Sequence, residues 1–302
     1  MVVVTTLNNS EKLAKKIARE VKGKYFKTDV SSFPDGDIYM RFGSDVKGKK
    51  VIIVESFQNQ KATKGISNWS LYTSYFAAKA AKKQGAKKVI LVAPYLAFMR
   101  QDKEFNKGEA ISAQIMAEMI NSSFDKILTV DPHLHRIRKM KDVFTISAKN
   151  LTANSVIAKF VKKSFKNKKN LLIMGPDWES YQWADEIAKE VGVKDTVLHK
   201  DRHSGRNVDV KLTEEIDLKG KDIVIVDDII STGNTMIKAA IKSKKLGAKS
   251  VTAIGVHGLF VENGLKKMKK HFDNIYTVDT IEHETNKIEI SSVLIDELKK
   301  RI

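Results

Sequence analysis

The chain has no cysteine among its 302 residues, which excludes disulfides, thiolate nucleophiles and thiolate zinc sites. It also has no long apolar run. The longest, Val89 to Met99, is too short to cross a bilayer. The N-terminus, Met-Val-Val-Val-Thr-Thr, has no basic segment ahead of an apolar one and so lacks a signal-peptide layout. A cytoplasmic protein with no membrane partner is the expectation. Arginine is scarce: of 54 Lys and Arg residues only eight are Arg. The formal charge of +18 is carried by lysines spread over helical patterns, as in Lys15/Lys16, Lys82/Lys83 and Lys244/Lys245. There is no Arg-rich arm and no alternation of aromatic with basic residues. The charge is therefore read as a lysine-solvated surface, with nucleic acid not expected as a partner.

What is present is enough for two domains of ordinary size, with 42% hydrophobic and 30% charged residues. The chain repeats itself. Ala18-Arg-Glu-Val matches Ala188-Lys-Glu-Val at an offset of 170. Lys47-Gly-Lys-Lys-Val-Ile-Ile-Val-Glu matches Lys219-Gly-Lys-Asp-Ile-Val-Ile-Val-Asp at 172. Gly85-Ala-Lys-Lys-Val matches Gly247-Ala-Lys-Ser-Val at 162, and Phe124-Asp-Lys-Ile-Leu-Thr-Val-Asp matches Phe272-Asp-Asn-Ile-Tyr-Thr-Val-Asp at 148. So long a period rules out a solenoid. It predicts two similar domains, residues 1–147 and 148–302, with the boundary near Thr145–Leu151. Short β-rich runs alternate with helical patterns in each half. This is the signature of α/β domains whose mostly parallel sheets are flanked by helices. Ligands of such folds bind beyond the carboxyl ends of the strands.

The richest segment is Ile223 to Thr235. Four β-branched residues predict a buried strand ending at Asp227 and Asp228. Ser231, Thr232, Gly233, Asn234 and Thr235 then form a hydroxyl-rich turn before a helical pattern. The free N–H groups of a helix start suit a phosphate, and two acids before it suit ribose hydroxyls or Mg²⁺. The same turn also reads as an ordinary N-cap.

Other strand ends carry polar groups with similar double readings. Phe33-Pro-Asp-Gly-Asp begins as a hairpin turn. Arg100-Gln-Asp-Lys103 follows the strand Val89–Val92 and offers cations to a polyphosphate, or is a mixed-charge loop. Asp131-Pro-His-Leu-His135 follows the strand Ile127–Val130. One of its histidines, directed inward, suits a phosphate or Mg²⁺. Asp177 ends the strand Leu171–Met174 and is either an oxygen ligand or an N-cap. In His199-Lys-Asp-Arg-His203, a period of two puts Lys200 and Arg202 on one side of a strand, able to close on a phosphoryl group, or the stretch is a hairpin with a basic edge.

Together these segments resemble the ribose-phosphate pyrophosphokinase (phosphoribosyl pyrophosphate synthetase) family, archaeal- or bacterial-like, over essentially the whole chain. The resemblance rests on Asp227-Asp-Ile-Ile-Ser-Thr-Gly-Asn-Thr, Arg100-Gln-Asp-Lys, Asp131-Pro-His and His199-Lys-Asp-Arg. It implies two tandem domains of the type I phosphoribosyltransferase fold. The implied reaction transfers the β,γ-diphosphoryl group of ATP to the anomeric hydroxyl of ribose 5-phosphate, with Mg²⁺ as cofactor. It further implies that Phe33, Asp35 and Asp37 reach the adenine of ATP on a neighbouring subunit, so that the chain self-associates. By the same resemblance Arg100, Gln101 and His133 contact ATP, and His133 and Asp177 engage Mg²⁺. Lys200 and Arg202 match its catalytic loop. Asp227, Asp228, Ser231, Thr232, Gly233, Asn234 and Thr235 match its ribose 5-phosphate site. Glu55 stands where Asp227 stands in the second half, without a second acid, so one sugar-phosphate site per chain is expected. Three positions depart from the family pattern: Lys107 for a Pro, Trp178-Glu-Ser for small residues, and Asn234 for a Gly that would let the backbone approach phosphate.

Overall fold

A computed structural model describes the backbone of residues 1–58, 68–134, 137, 139–204, 207–212 and 217–302, and the side chains of these apart from 198–204 and 207–212. The chain divides into two compact units. The first comprises Met1–Thr152, Thr280–Glu282 and Ser291–Ile302; the second comprises Ala153–Asp279 and His283–Ile290.

In the first unit the elements run β1 (Val2–Thr6), α1 (Glu11–Glu20), β2 (Lys24–Tyr25), β3 (Thr28–Ser32), β4 (Ile38–Phe42), β5 (Lys50–Val54), α2 (Asn68–Lys83), β6 (Lys88–Ala93), α3 (Ser112–Ser123), β7 (Lys126–Val130) and β8 (Ser147–Leu151). The second unit follows with α4 (Asn154–Ser164), β9 (Leu171–Gly175), α5 (Tyr181–Val191), β10 (Lys194–Ser204), β11 (Asn207–Leu212), β12 (Asp222–Ile230), α6 (Asn234–Lys245), β13 (Ser250–Gly258), α7 (Gly264–Met268), β14 (Asn274–Val278) and β15 (Asn286–Ile288). The last helix, α8 (Ser291–Lys299), belongs to the first unit, where Lys299 pairs with Glu20 of α1 at 3.2 Å. A single cut at 147/148 leaves this return of the chain out.

The first sheet has the order β2-β1-β5-β6-β7-β8, and its strands pair in parallel. The second has the order β11-β10-β9-β12-β13-β14-β15, with only the β10–β11 pair antiparallel. Strands β1, β5, β6, β7 and β8 thus find counterparts in β9, β12, β13, β14 and β15. The repeated sequence anchors touch one another in both units. Gly48 N–H donates to Gly85 O at 2.8 Å, and Gly220 N–H to Gly247 O at 2.9 Å. The Asp125 carboxylate accepts from Val89 N–H at 2.7 Å, as Asp273 does from Val251 N–H at 2.7 Å. Helices α1 and α5 each bury a corresponding face in their own unit: Leu13, Ala14, Ile17 and Ala18 in α1, and Trp183, Ala184, Ile187 and Ala188 in α5. This is the apolar stripe that a period of 3.6 residues places on one side of a helix.

Both sheets are closed to water by such helices, so β5, β6 and β12 are nearly continuous runs of buried Val, Ile and Leu. Among the described residues no helix is long and apolar enough to cross a membrane.

Candidate active site

In each sheet the order reverses between β1 and β5, or between β9 and β12. Such a switch point opens a crevice at the carboxyl ends of the strands. In the second unit β9 pairs with β12 only as far as Met174 and Ile225. Strand β12 continues along β13 to Ile230 and Gly258. Asp227 and Asp228 therefore lie within β12, not at its end as the sequence predicted. The apolar run stops before them, but the backbone pairing with β13 does not.

Above the end of β9 the segment 176–180 bends toward these acids. Ser180 Oγ donates to Asp227 Oδ1 at 2.7 Å. Ser180 N–H donates to Asp177 Oδ1 at 3.2 Å, and Asp228 N–H to Asp227 Oδ1 at 3.1 Å. Asp228 is itself buried, and its Oδ1 accepts Ile229 N–H at 2.8 Å. Three carboxylates are thus drawn together from the loop after β9 and from β12. Loss of water raises the Asp227 pKa well above the usual carboxylate range, and the negative charges of Asp228 and Asp177 add to the effect. The Ser180 hydrogen bond opposes it.

The turn after β12 leads into α6. Gly233 precedes the helix with φ 77°, a conformation glycine adopts without strain. Gly233 has no side chain to cap the helix, the first N–H, that of Asn234, reaches Thr232 Oγ1 only at 3.5 Å, and no acid sits in the first turn. The leading backbone N–H groups of a helix have no intrahelical partner, which leaves a weakly capped positive helix end beside Ser231, Thr232 and Thr235. Asn234 is exposed, is the first helical residue and has no positive φ, so the left-handed position of the turn falls on Gly233 and not on Asn234. Trp178, 51% exposed, lies between Asp177 and Ser180 in sequence and meets Tyr181 edge-on at 5.3 Å.

Lys200 and Arg202 lie on β10, paired with Val210 and Val208 of β11 in a hairpin interrupted between Arg202 and Ser204. Their side chains lie outside the described residues, as do Gly205 and Arg206 entirely.

The first unit places the remaining predicted residues on three loops. Phe33, Asp35 and Asp37 form the tip of the β3–β4 hairpin, with Phe33 N–H donating to Asp37 O at 2.8 Å and Asp37 N–H to Asp35 Oδ1 at 3.2 Å. Phe33 is 51% exposed and touches Tyr39 edge-on at 5.7 Å. Arg100 is exposed and has no ion-pair partner among the described residues. Gln101 is drawn into its own loop: its amide donates to Lys103 O and to Glu109 Oε2, each at 3.1 Å. Glu109 also accepts from Phe105 N–H at 2.9 Å and from the Asn106 side chain at 2.6 Å. These donors, with the Asn106 side chain first, hold its pKa down at about 2. His133 follows a tight turn in which its N–H donates to Asp131 O at 2.8 Å, with φ 36° at Asp131 and 55° at His133. His135 lies outside the described residues.

The counterpart of Asp227 in the first unit is differently occupied. Glu55, fully buried, accepts at Oε2 from the N–H groups of Leu7 at 3.3 Å, Asn8 at 3.1 Å and Asn9 at 3.5 Å. At Oε1 it accepts from the Asn8 amide at 2.9 Å, the Asn9 amide at 3.0 Å and Ser70 Oγ at 3.0 Å. Its coordination is complete within the protein, and little is left for a ligand. Burial raises its pKa to about 7 against these hydrogen bonds.

Two of the residues in these networks were legible only as something else. Serine is a common N-cap residue, and Ser180 and Ser10 stand at the N-cap positions of α5 and α1. Neither hydroxyl caps its helix: Ser180 serves Asp227, and Ser10 donates to Asn9 Oδ1 at 2.7 Å with φ 65°. Glu109 and Glu55 carry no local signal, since the partners of Glu55 in particular come from distant segments.

Among the described residues no three His, Cys, Asp or Glu side chains form a metal cage. The carboxylates around Asp227 are the hard oxygen donors that Mg²⁺ takes one or two at a time, completing its shell with water and substrate phosphates. Asp177 fits that use.

Residues 2–123 match the family described as the N-terminal domain of ribose phosphate pyrophosphokinase, and residues 147–297 match the phosphoribosyl transferase domain. Among curated proteins the chain is 30% identical to a ribose-phosphate pyrophosphokinase of Methanopyrus kandleri, over 96% of each chain. It is 31% identical to that of Pyrococcus abyssi, over 93% of this chain and 94% of the other. A crystal structure of phosphoribosylpyrophosphate synthetase from Mycobacterium smegmatis shares the fold, with a TM-score of 0.85 at 21% identity over 99% of this chain and 98% of that one. The tandem sheets, the paired acids at the second switch point and these full-length likenesses agree, and the chain belongs to the ribose-phosphate pyrophosphokinase family.

Proposed function

We propose that the chain is a ribose-phosphate diphosphokinase whose sugar-phosphate site is the switch point of the second unit. The observation that supports this best is the placement of Asp227 and Asp228 ahead of the weakly capped start of α6. The 5-phosphate of ribose rests on the N–H groups and hydroxyls of Ser231, Thr232, Gly233, Asn234 and Thr235. Asp227 and Asp228 hold the ribose hydroxyls. Glu55, already saturated by Asn8, Asn9 and Ser70, leaves the first unit without a second such site.

ATP is held by Arg100 and Gln101, with His133 at the phosphates. Phe33, Asp35 and Asp37 of a second copy reach the adenine, so the working form is at least a homodimer. An exposed aromatic with two flanking acids at a hairpin tip is suited to stacking on a base and accepting from its amino group. Asp177 and His133 would each offer a ligand to Mg²⁺, which would supply charge neutralisation at the phosphate oxygens. The anomeric oxygen forms a bond to the β-phosphorus, the bond from that phosphorus to the α–β bridging oxygen breaks, and AMP departs as the hydroxyl proton is released. The work asked of the protein is alignment and electrostatic compensation. Lys200 and Arg202 offset the charge developing on the transferred group.

Incubation with Mg²⁺, ATP and ribose 5-phosphate yields AMP and phosphoribosyl diphosphate in equal amounts. Ribose 5-phosphate binding without AMP formation overturns the catalytic reading. Lys200→Ala lowers kcat far more than it raises either KM; a change in KM alone contradicts its role.

A further inference from the structure

The turn proposed to hold the 5-phosphate is not shaped by its own residues alone. Helix α7 and the loop before it press on it from β13. The carbonyl of Ile230, the last residue of β12, accepts from Leu259 N–H at 2.9 Å and from Phe260 N–H at 3.1 Å. Phe260, Glu262 and Asn263 all hold positive φ (47°, 52° and 59°), conformations that cost a non-glycine residue energy and need surrounding contacts to persist. One such contact is the Phe260 ring against His283, with centroids 4.6 Å apart. The loop so held delivers Gly264 and Met268 to the turn. A Cβ on Gly264 would stand 3.0 Å from both the Ser231 and the Thr232 carbonyl oxygens. A Cβ on Gly233 would stand 2.6 Å from Met268 Sδ. Ile230 is seated as tightly, its Cδ1 2.5 Å from where a Cβ on Gly255 would lie.

We infer that Gly264 and Met268 are positioning residues for the sugar-phosphate site: they form a wall that sets the path of Ser231–Gly233 and hence the aim of the N–H groups at the start of α6. The inference rests on the reading of that turn as the ribose 5-phosphate site. Gly264 is the sharper probe, because it has no positive φ of its own. An added methyl there meets backbone carbonyls, which yield only if the turn moves. Donors displaced by a few tenths of an ångström lose alignment with a phosphate they do not otherwise touch.

The test is calorimetric titration of wild type and Gly264→Ala with ribose 5-phosphate alone and, separately, with a non-hydrolysable ATP analogue plus Mg²⁺. Gly264→Ala weakens ribose 5-phosphate roughly tenfold and leaves the nucleotide within about twofold, with an unchanged far-ultraviolet spectrum. An unchanged sugar-phosphate affinity, or equal weakening of both ligands, overturns the inference. If Gly264→Ala does not fold, Met268→Leu is read the same way: selective loss of ribose 5-phosphate affinity supports the wall, and none overturns it. If wild type itself binds no ribose 5-phosphate, the site assignment fails first and the inference with it.

Discussion

Ser180 Oγ stands 2.7 Å from Asp227 Oδ1, and this bond ties the end of β12 to the loop after β9. It is also the interaction that restrains the Asp227 pKa against loss of water and the charges of Asp228 and Asp177. Ser180→Ala removes it, so the carboxyl binds its proton more tightly still. If Asp227 works as a carboxylate, the acid limb of the pH profile of kcat/KM for ribose 5-phosphate moves to higher pH. The variant then loses more activity at pH 6 than at pH 8.5. A uniform loss across pH would make Ser180 a packing residue only.

Glu109 gathers Gln101, Phe105 and Asn106 into one loop next to Arg100. Its pKa of about 2 means that the loop keeps this shape across the physiological range. Glu109→Ala frees Gln101 and the 105–106 backbone. Initial-rate kinetics should show a raised KM for ATP with the KM for ribose 5-phosphate little changed. Equal changes in both would place the loop outside ATP binding.

The duplicated architecture was readable because its sequence anchors are spatial neighbours. Lys47-Gly-Lys and Gly85-Ala-Lys meet through Gly48 and Gly85, and their second-half copies meet through Gly220 and Gly247. A constraint of that kind leaves matching words at matching places. The β-branched run before Asp227 revealed the strand but not its length, since β12 is prolonged by pairing with β13 and by no local pattern. The partner of Ser180 lies 47 residues away, so nothing local in the sequence announces the bond. The return of α8 to the first unit is written in the apolar face Leu294, Ile295 and Leu298 and in the Lys299–Glu20 pair, a pattern that many other arrangements would satisfy.

The two halves also disagree where they should be alike. Helix α5 ends on Gly192 in the left-handed region at φ 81°, and the equivalent residue after α1 is Lys22 at φ 53°. The hydrogen bonds around them correspond: Gly23 N–H donates to Ala18 O at 2.8 Å, and Val193 N–H to Ala188 O at 3.1 Å. A side chain in this conformation costs about 1 kcal/mol, while glycine costs the unfolded chain some entropy. Lys22→Gly should therefore stabilise the protein by up to ~1 kcal/mol in denaturant unfolding. A destabilised variant would mean that the lysine side chain contributes more than its backbone costs.

Glu55 gives the last prediction, on pH and stability. Its folded pKa of about 7 lies above the ordinary value of 4.5. The folded state therefore binds this proton more tightly than the unfolded state does. Its stabilising effect is full below about pH 4.5 and is lost as pH rises through about 7. A shift of this size corresponds to about 3 kcal/mol. Other groups titrate in the same range, so the informative quantity is the difference between wild type and Glu55→Gln. The variant starts at a disadvantage, because its amide meets the Asn8 and Asn9 amides and Ser70 as a donor facing donors. That handicap does not titrate. Across pH 4.5 to 7.5, unfolding free energies should show the variant gaining on wild type by roughly 3 kcal/mol. A pH-independent gap would mean that six donors keep Glu55 ionised throughout, and that its burial is fully offset by the asparagines that enclose it.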